Sequence, residues 1–226
     1  MIPTTGVWVY KEAGTDELKY SIRSAVQNLG LTKVILIGDK PNWYKESELA
    51  VHIPLRFRRP YTWTNAYVPW TYLKELLKAN LLTGDFLYFN DDFFVLKKLT
   101  AWTDYERDPL DYDLYVRQHN RMYHQREVRS LKLLGLDEYG KHYNLHIPIK
   151  LNTNFLAEDI KFWHSSPIKD IGFRTFYGNK HLGDCPKIRD VKYRPSESFL
   201  STGEVWWRAN GGPYKELFKT KTFAEI

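Results

Sequence analysis

Cysteine is almost absent from this sequence: Cys185 is the single cysteine among 226 residues. No disulfide can form within the chain, and a cysteine-rich zinc site is excluded. So little cysteine favours a reducing, intracellular setting. The sequence also lacks the lysine-containing Walker loop and the GxGxxG fingerprint. These absences argue against a P-loop nucleotide site and against a dinucleotide-binding site of the GxGxxG type.

Long apolar runs are missing as well. No run is long enough to span a bilayer, and residues 1–6 have no signal-peptide pattern. We therefore expect a soluble, cytoplasmic protein with no membrane partner. The length fits one domain, and a hydrophobic content of 43% with 16% aromatics is enough for a sizeable core and an aromatic-lined cleft.

Positive charge exceeds negative charge, with a formal net charge of +6 and a pI of about 9.1. This excess favours anionic partners such as nucleotides, sugar phosphates, nucleic acid or anionic lipid. A soluble protein that is merely basic would have the same balance, so net charge alone does not choose among these partners.

The most informative stretch is residues 85–96, where three polar side chains interrupt an apolar run. Residues 86–89 are typical of a strand buried on both faces, and Asn90, Asp91 and Asp92 follow them. An unpaired buried carboxylate is too costly to be stable. The trio therefore either ends a central strand, where α/β proteins keep their sites, or is neutralised by a cation, or both.

Oxygen ligands of this kind suit a hard ion such as Mg²⁺ or Mn²⁺, and we expect Asp91 and Asp92 to be the ligands. On an extended strand, Asn90 and Asp92 would share one face and Asp91 would point the other way. If the backbone turns, Asp91 joins them. The alternative to a metal site is a plain turn, because Asn-Asp-Asp is good turn chemistry.

The first 40 residues predict a βαβ unit. Residues 7–10 and 33–38 are typical of buried strands, and Thr15 is a suitable N-cap for a helix between them. We expect parallel strands joined by a right-handed crossover. The apolar face of the helix is predicted at Leu18, Ile22, Val26 and Leu29.

Charged residues of this unit are candidates for binding a ligand. Asp39 follows the second strand, and Asp16 and Glu17 fall in the first helical turn, where the macrodipole favours negative charge. Simple helix capping explains Asp16 and Glu17 equally well. Arg23 lies beside the apolar stripe and is either a salt-bridge partner or a phosphate ligand.

Further along, the pattern predicts helices over residues 65–80 and 152–163 and a glycine-containing linker over 173–186. Two arginine-rich clusters could bind phosphate or stack on bases, although a solvated charged surface is an equal alternative. Tryptophans near the clusters or near the end of the sequence are further candidates for contacting such a partner. The residues concerned are Arg56, Arg58, Arg59, Trp63, Arg117, Arg121, Trp206 and Trp207.

Several segments together resemble the Stealth family of sugar-phosphate transferases. Residues 16–24 resemble its "DELRYSLRS"-like helix, residues 33–39 its "IYIVTD"-like strand and residues 86–93 its "FIYxNDD" block. Asn65 lies where that family has an asparagine-alanine pair, and residues 146–148 resemble its "HxP" block. The layout is also similar to nucleotide-sugar glycosyltransferases of the GT-A type, including small phage-encoded ones.

The resemblance implies an α/β fold in which a GT-A-like (Rossmann-like) mixed sheet is flanked by helices in one domain over residues 1–226. Residues 1–96 would bind the nucleotide sugar, and residues 97–226 would face the acceptor. The implied activity is a metal-dependent glycosyltransferase in which Mg²⁺ or Mn²⁺ bridges the acidic motif and the donor diphosphate. The expected donor is a UDP-sugar.

The resemblance also implies roles for individual residues. His146 is either a third metal ligand or an acid/base group. Asp184 and Glu204 are candidates for the base that activates an acceptor hydroxyl, and nothing in the sequence selects between them. The catalytic candidates are Asp92, His146, Glu204 and Asp184. The donor-site candidates are Asp16, Glu17, Arg23, Asp39, Asn65 and Asn90.

The acceptor is expected to be a hydroxymethylated pyrimidine in double-stranded DNA, since phage enzymes with this activity are small and basic and act in the host cytoplasm. Trp63, Trp206 and Trp207 would stack on a flipped base. Two alternatives stay open. One is transfer of a sugar or sugar phosphate to a polysaccharide, and the other is a non-enzymatic nucleic-acid-binding module in which Asn-Asp-Asp is only a turn.

Overall fold

A mixed five-stranded sheet flanked by helices is the centre of the computed structural model, which describes residues 1–12, 14–55, 67–109, 121–137, 140–190 and 206–208. The strands are β1 (Thr5–Tyr10), β2 (Lys33–Gly38), β3 (Ala50–Pro54), β4 (Asp85–Asn90), β5 (Phe93–Val95), β6 (Glu106–Arg107), β7 (Ile149–Asn152), β8 (Lys187–Ile188) and β9 (Trp206–Arg208). The helices are α1 (Glu17–Leu29), α2 (Tyr67–Ala79), α3 (Arg121–Leu133), α4 (Thr153–Ser165) and α5 (Phe173–His181).

The strand order in the sheet is β3-β2-β1-β4-β7. The first four strands are parallel, and β7 runs antiparallel to β4. From β1 the chain moves outward to β2 and β3. The connection that contains α2 then returns the chain to the centre of the sheet, and β4 lies on the other side of β1. The order therefore reverses between β1 and β4, which is the Rossmann-like arrangement. The predicted α/β fold and the parallel βαβ unit are confirmed.

The core has two layers, one on each face of the sheet. On one face, α1 covers a cluster in which the rings of Trp8 and Phe89 stack at 4.2 Å. On the other face, α2, α4 and α5 cover a second cluster in which Trp70 stacks on Trp163 at 5.8 Å. Alternate residues of β1 and β4 enter opposite clusters, as the period of a strand requires. Within the described residues, no helix is both long and apolar enough to cross a membrane.

The buried face of α1 differs from the predicted one. Leu18 and Leu29 are buried as expected, but the other two residues of the predicted face are only half-buried. Ser21 and Ser24 are fully buried instead. The reason is a set of hydrogen bonds to β5, the strand after the acidic motif. Ser21 Oγ donates to the Phe93 carbonyl at 2.5 Å, and Ser24 Oγ accepts from the β5 main chain. The N-cap position is Asp16 rather than Thr15.

We expect Ser21→Ala to destabilise the fold by about 2–3 kcal/mol, because the change leaves two buried groups without their partner. Ser21 Oγ also accepts a hydrogen bond from Trp8 Nε1 at 2.9 Å, so the Phe93 carbonyl and the indole N–H both lose a contact. Urea denaturation measures the change. Gln27→Ala, on the exposed face of the same helix, is the matched control. Equal stabilities of the two variants would contradict this role for Ser21.

The prediction of a linker over residues 173–186 is wrong for the first half of that range. Residues 173–181 form α5, and Phe173, Phe176 and Tyr177 are buried in the core. The glycine that suggested a linker permits close packing: a Cβ at Gly178 would lie 2.2 Å from the Tyr143 ring. The predicted helices near 65–80 and 152–163 are confirmed, at Tyr67–Ala79 and Thr153–Ser165.

Candidate functional site

Asn90, Asp91 and Asp92, which we call the acidic turn, lie at the point where the strand order reverses. Asn90 is the last residue of β4 and pairs with Val9 near the end of β1. Asp91 and Asp92 form a turn before β5, and the side chain of Asp92 is buried while those of Asn90 and Asp91 are half-buried. The prediction that the trio ends a central strand is confirmed. Because the backbone turns, the alternation of an extended strand does not set the directions of these side chains.

A positive charge lies close to the acidic turn. Arg174, near the start of α5, has its guanidinium carbon 5.9 Å from the centre of the Tyr88 ring and 5.3 Å from that of Phe93. Burial raises the pKa of Tyr88, the charge of Arg174 opposes that shift, and the charge of Asp91 adds to it. The Tyr88 hydroxyl is therefore neutral. Arg174 Nη1 is held by the carbonyls of Leu145 and Ile147, at 3.1 and 2.6 Å.

The loop between β1 and α1 is shaped by two carboxylates at the same edge of the sheet. Asp39 Oδ2 accepts from the Glu12 main-chain N–H at 2.8 Å. The Glu12 carboxylate in turn accepts from the Tyr10 hydroxyl at 2.8 Å and from the Gly14 N–H at 2.9 Å. Glu12 is thus tied to the ends of both β1 and β2. In Rossmann-like sheets this is where a nucleotide lies.

The donor-site candidates on α1 are at different distances from this edge. Asp16 is exposed at the N-cap, and Glu17 is half-buried in the first turn. Both therefore lie at the end of the helix that faces the loop. Arg23 is six residues further along, about 9 Å down the helix axis at the standard rise. The structure brings Asp16, Glu17 and Asp39 to one edge, but it places Arg23 in the middle of the helix.

His146 lies beside Phe93, the first residue after the acidic turn. The two rings meet edge to face with their centres 6.3 Å apart. The Asp190 carboxylate accepts from both the main-chain N–H of His146, at 2.9 Å, and its Nδ1, at 2.5 Å. Arg107 Nη2 is 3.7 Å from the same carboxylate, which is almost fully buried.

Sequence reasoning missed Asp190. Burial opposes ionisation of this carboxyl, but the hydrogen bond from His146 and the charges of His146 and Arg107 outweigh it and lower the pKa of Asp190. The aspartate is 44 residues from its histidine in the chain. No local pattern could have connected the two.

Asp184, a candidate base, is not brought to the acidic turn. Helix α5 starts beside Tyr88 and ends near Asn152. The main-chain N–H of Asn152 donates to the Tyr177 hydroxyl, and Asn152 is paired in the sheet with Asp85 at the beginning of β4. Asp184 follows this far end of the helix. Its exposed carboxylate pairs with Lys141, and that hydrogen bond lowers the pKa of Asp184.

A small open pocket of about 180 Å³ also lies at this amino-terminal end of β4. Its lining includes Asp85, Lys150, Asn152 and Tyr177. The acidic turn is at the other end of the same strand.

Several predicted site residues lie outside the described residues. They are Arg56, Arg58, Arg59, Trp63, Asn65, Arg117 and Glu204. For the other acceptor candidates the structure describes the main chain only. Arg121 begins α3, and Trp206 and Trp207 lie in β9, which pairs antiparallel with β5. Strand β9 is thus hydrogen-bonded to the strand that follows the acidic turn.

Two further arginines on α3, Arg126 and Arg129, have a structural role. Arg126 Nε is 2.6 Å from Asp170 Oδ1, and Arg129 pairs with the other oxygen of the same carboxylate. Arg126 is buried. These two arginines therefore join α3 to the segment before α5, and they are not free to follow a phosphate backbone.

Glu127, beside this ion pair on α3, is buried and carries a shifted pKa. Burial raises its pKa from the ordinary 4.5 to about 7, against the opposing effects of a hydrogen bond to Thr175 and of nearby arginines. The folded protein therefore binds more protons at this group than the unfolded chain does between pH 4.5 and 7. Stability from this group is complete below pH 4.5 and is lost as the pH rises through about 7.

We expect Glu127→Gln to remove this dependence, since an amide does not titrate. The difference in unfolding free energy between variant and wild type should shift by about 3 kcal/mol in favour of the variant between pH 4.5 and pH 8.5. Urea denaturation at several pH values measures it. Glu48→Gln, at an exposed position, is the control and should show no such shift. Parallel stability curves for wild type and Glu127→Gln would contradict the buried titration.

The acidic turn has the donor types that a hard cation prefers. Two carboxylates and an amide lie within three consecutive residues. Mg²⁺ commonly binds one or two carboxylates and takes its remaining ligands from water and substrate phosphates. Among the described residues, no group of three or more His, Cys, Asp or Glu side chains is arranged to hold a metal ion. Two carboxylates and an amide would fit an ion that takes its remaining ligands from water and substrate phosphates.

No protein-family model matches this chain. No match is found among curated proteins either.

Proposed function

We propose that this chain is a metal-dependent glycosyltransferase of the GT-A type, which moves a sugar from a nucleotide-sugar donor to an acceptor hydroxyl. The observation that carries the proposal is the position of the acidic turn. Asp91 and the buried Asp92 lie at the carboxyl end of β4, next to the end of β1, where the strand order of a Rossmann-like sheet reverses. A nucleotide diphosphate lies in such a crevice.

The donor would lie over the loop between β1 and α1, with Asp16 and Asp39 on the nucleoside side. Asp91 and Asp92 would hold Mg²⁺ or Mn²⁺, with the Asn90 amide beside them. When bound there, such an ion would supply positive charge against the negative charge that gathers on the departing nucleoside diphosphate. Arg174, fixed next to Tyr88 and Phe93, adds positive potential to the same end of the sheet.

The group that activates the acceptor is proposed to be His146, since its ring packs against Phe93, one residue from Asp92. Asp184 is a weaker candidate, because it lies past the far end of α5 and is paired with Lys141. Glu204 lies outside the described residues and stays a sequence-based candidate. The division into a donor half (1–96) and an acceptor half (97–226) also stays a prediction.

The acceptor that we propose first is a hydroxymethylated pyrimidine in DNA. The net charge of +6 supports an anionic partner. Strand β9, with Trp206 and Trp207, pairs with β5 next to the acidic turn, which puts two aromatic residues on a strand beside the proposed reaction centre. Aromatic side chains stack on bases that have been flipped out of a duplex.

A Stealth-type transfer to polysaccharide is the second candidate, and one observation favours it. In the segment that resembles the Stealth helix, Ser21 and Ser24 hold the strand after the acidic turn through hydrogen bonds. The segment of resemblance thus includes two residues that position β5 beside the acidic turn. A non-enzymatic nucleic-acid-binding module is the third possibility, and loss of catalysis in every assay would favour it.

Mass spectrometry of nucleosides tests the proposal. The protein is incubated with hydroxymethylated or plain DNA, a pool of nucleotide sugars, and Mg²⁺ or Mn²⁺, and the DNA is then digested. A hexose-sized mass gain on the hydroxymethylated base alone is the expected result. Metal-dependent donor hydrolysis without that gain would keep the transferase and move the acceptor to glycans. No donor turnover under any condition would reject the proposal.

A further inference from the structure

We infer that the open pocket at the amino-terminal end of β4 binds a neutral sugar residue, held by hydrogen bonds to Lys150 and Asp104 and packed on the ring of Phe155. The pocket has a volume of about 180 Å³. Pockets for drug-sized ligands usually exceed about 300 Å³, so this one has the size for a single small ring. The inference goes beyond the proposed function and does not depend on it.

The pocket lies along the outer edge of the five-stranded sheet. Strand β7 is the last strand of that sheet, and three of its consecutive residues, Lys150, Leu151 and Asn152, line the pocket. The N–H of Asn152 already donates to the Tyr177 hydroxyl at 2.8 Å. At a strand rise of about 3.3 Å per residue, the two ends of β4 are about 17 Å apart. The pocket is therefore separate from the acidic turn.

Two charged groups in the pocket keep hydrogen-bonding capacity for a ligand. Lys150 Nζ is 3.5 Å from Asp104 Oδ2, which is longer than the roughly 2.7–2.9 Å of a charge-assisted hydrogen bond. Among the described residues, this carboxylate is the one polar side-chain partner of Lys150. Trp102 Nε1 donates to the other oxygen of Asp104 at 2.8 Å and fixes the carboxylate in place. A group that only donates thus lies beside a group that only accepts.

An exposed aromatic ring forms part of the wall. Phe155, near the start of α4, is 44% exposed although it is a large apolar residue. Its ring stacks on His181, with the ring centres 4.6 Å apart and 2° between the planes. The fully buried Asp159 carboxylate lies 2.9 Å from His181 Nε2 and holds that ring in turn. The Phe155 ring is therefore positioned before any ligand arrives.

A sugar residue matches this set of groups. Each hydroxyl group both donates and accepts, so neighbouring hydroxyls can accept from Lys150 and donate to Asp104 at the same time. The C–H bonds on the face of a sugar ring carry partial positive charge and pack on the negative face of an aromatic ring such as that of Phe155. The remainder of a glycan chain can extend outward, because the pocket is open.

Charged ligands match the pocket less well. An ammonium group would donate to Asp104, but Lys150 would repel it and would gain no acceptor. Asp104 would repel an anion. Burial is the main cause of the raised pKa of Tyr177, and the charges of three nearby aspartates add to it. That second contribution indicates negative potential at the hydroxyl, which also disfavours an anion.

Saturation-transfer NMR of the wild-type protein tests the inference. The neutral probes are glucose, galactose and N-acetylglucosamine, and the charged probes are ethylammonium, acetate and the zwitterion alanine. We expect saturation transfer to the ring protons of at least one sugar, stronger than the transfer to any charged probe. Transfer to no sugar, or stronger transfer to a charged probe than to every sugar, would overturn the inference.

Two variants place the bound sugar in this pocket. Lys150→Met removes the donor but keeps a stem of similar length, and it should raise the Kd by about tenfold or more, the usual effect of losing a hydrogen bond to a charged group. Phe155→Ala should abolish saturation transfer. Phe162→Ala is its matched control, because Phe162 is 38% exposed on the same helix but does not line the pocket. An unchanged Kd in Lys150→Met, or equal binding by the two phenylalanine variants, would overturn the inference.

Binding and transfer are separate readouts. Sugar binding at this pocket in a protein that transfers no sugar would reject the proposed function alone, and transfer without such binding would reject this inference alone. Where both occur, the polysaccharide becomes the favoured acceptor, since a chain of sugars can reach from the pocket to the acidic turn.

Discussion

We expect Asp92→Asn to lower the rate of the proposed sugar transfer by about 10²- to 10³-fold, the range for loss of one charged contact to the transition state. The change replaces a carboxylate oxygen by an amide at nearly constant shape, so it removes negative charge without opening a cavity. Asp92 is buried at the end of β4, and an amide is less costly to bury than a charge. The variant should therefore fold. Initial rates at saturating donor and metal, with circular dichroism as a check of folding, measure the effect.

The control for this prediction lies on the same strand. Asp85 begins β4 and Asn90 ends it, so Asp85→Asn makes the same chemical change at the opposite edge of the sheet. It should leave the rate within a few-fold of wild type. Binding of Mn²⁺ in the presence of a nucleoside diphosphate gives a second readout, and we expect it to weaken in Asp92→Asn only. Unchanged rate and unchanged Mn²⁺ binding would remove Asp92 from the metal site.

The position of the acidic turn was predictable because every part of the pattern is local. An apolar run of strand length has to be buried, and a charged trio cannot continue it into a core. The βαβ unit was predictable for the same reason, since strand and helix have different periods of apolar residues. These patterns predict the order of the strands and helices and the edge of the sheet at which the parallel strands end.

The contacts between distant segments were not predictable. Ser21 and Ser24 count as polar in any periodicity, yet both are fully buried because their hydroxyls bond to β5, about 70 residues away. Asp190 meets His146 in the same way. Burial of a polar residue depends on a partner that the local sequence does not contain. A glycine in the sequence is ambiguous for a related reason, because it is found both in linkers and where two segments pack closely. Gly178 is of the second kind, since it packs against the Tyr143 ring.

Gly38→Ala should be the most destabilising single-methyl change in the sheet, with a loss of at least about 3 kcal/mol. Gly38 ends β2 with φ of 120°, a backbone conformation that L residues rarely adopt. A Cβ there would lie 2.0 Å from the Tyr10 carbonyl oxygen on β1. That atom is backbone in a central strand and cannot move aside as a flexible side chain can. The free energy of unfolding in urea measures the loss.

Gly30→Ala separates the steric clash from the backbone strain. Gly30 ends α1 in the left-handed conformation with φ of 68°, but a Cβ there would have no atom within 4 Å. Its cost should be only about 1–2 kcal/mol, the strain of the left-handed region. Gly38→Ala must also displace Tyr10 or Asp39, because Asp39 N–H donates to the same carbonyl at 3.1 Å. It should therefore disturb the loop held by Asp39 and weaken nucleotide binding, whereas Gly30→Ala should not. Equal losses of stability for both variants would mean that the ends of β1 and β2 can separate freely, which is incompatible with a fixed donor site at this edge.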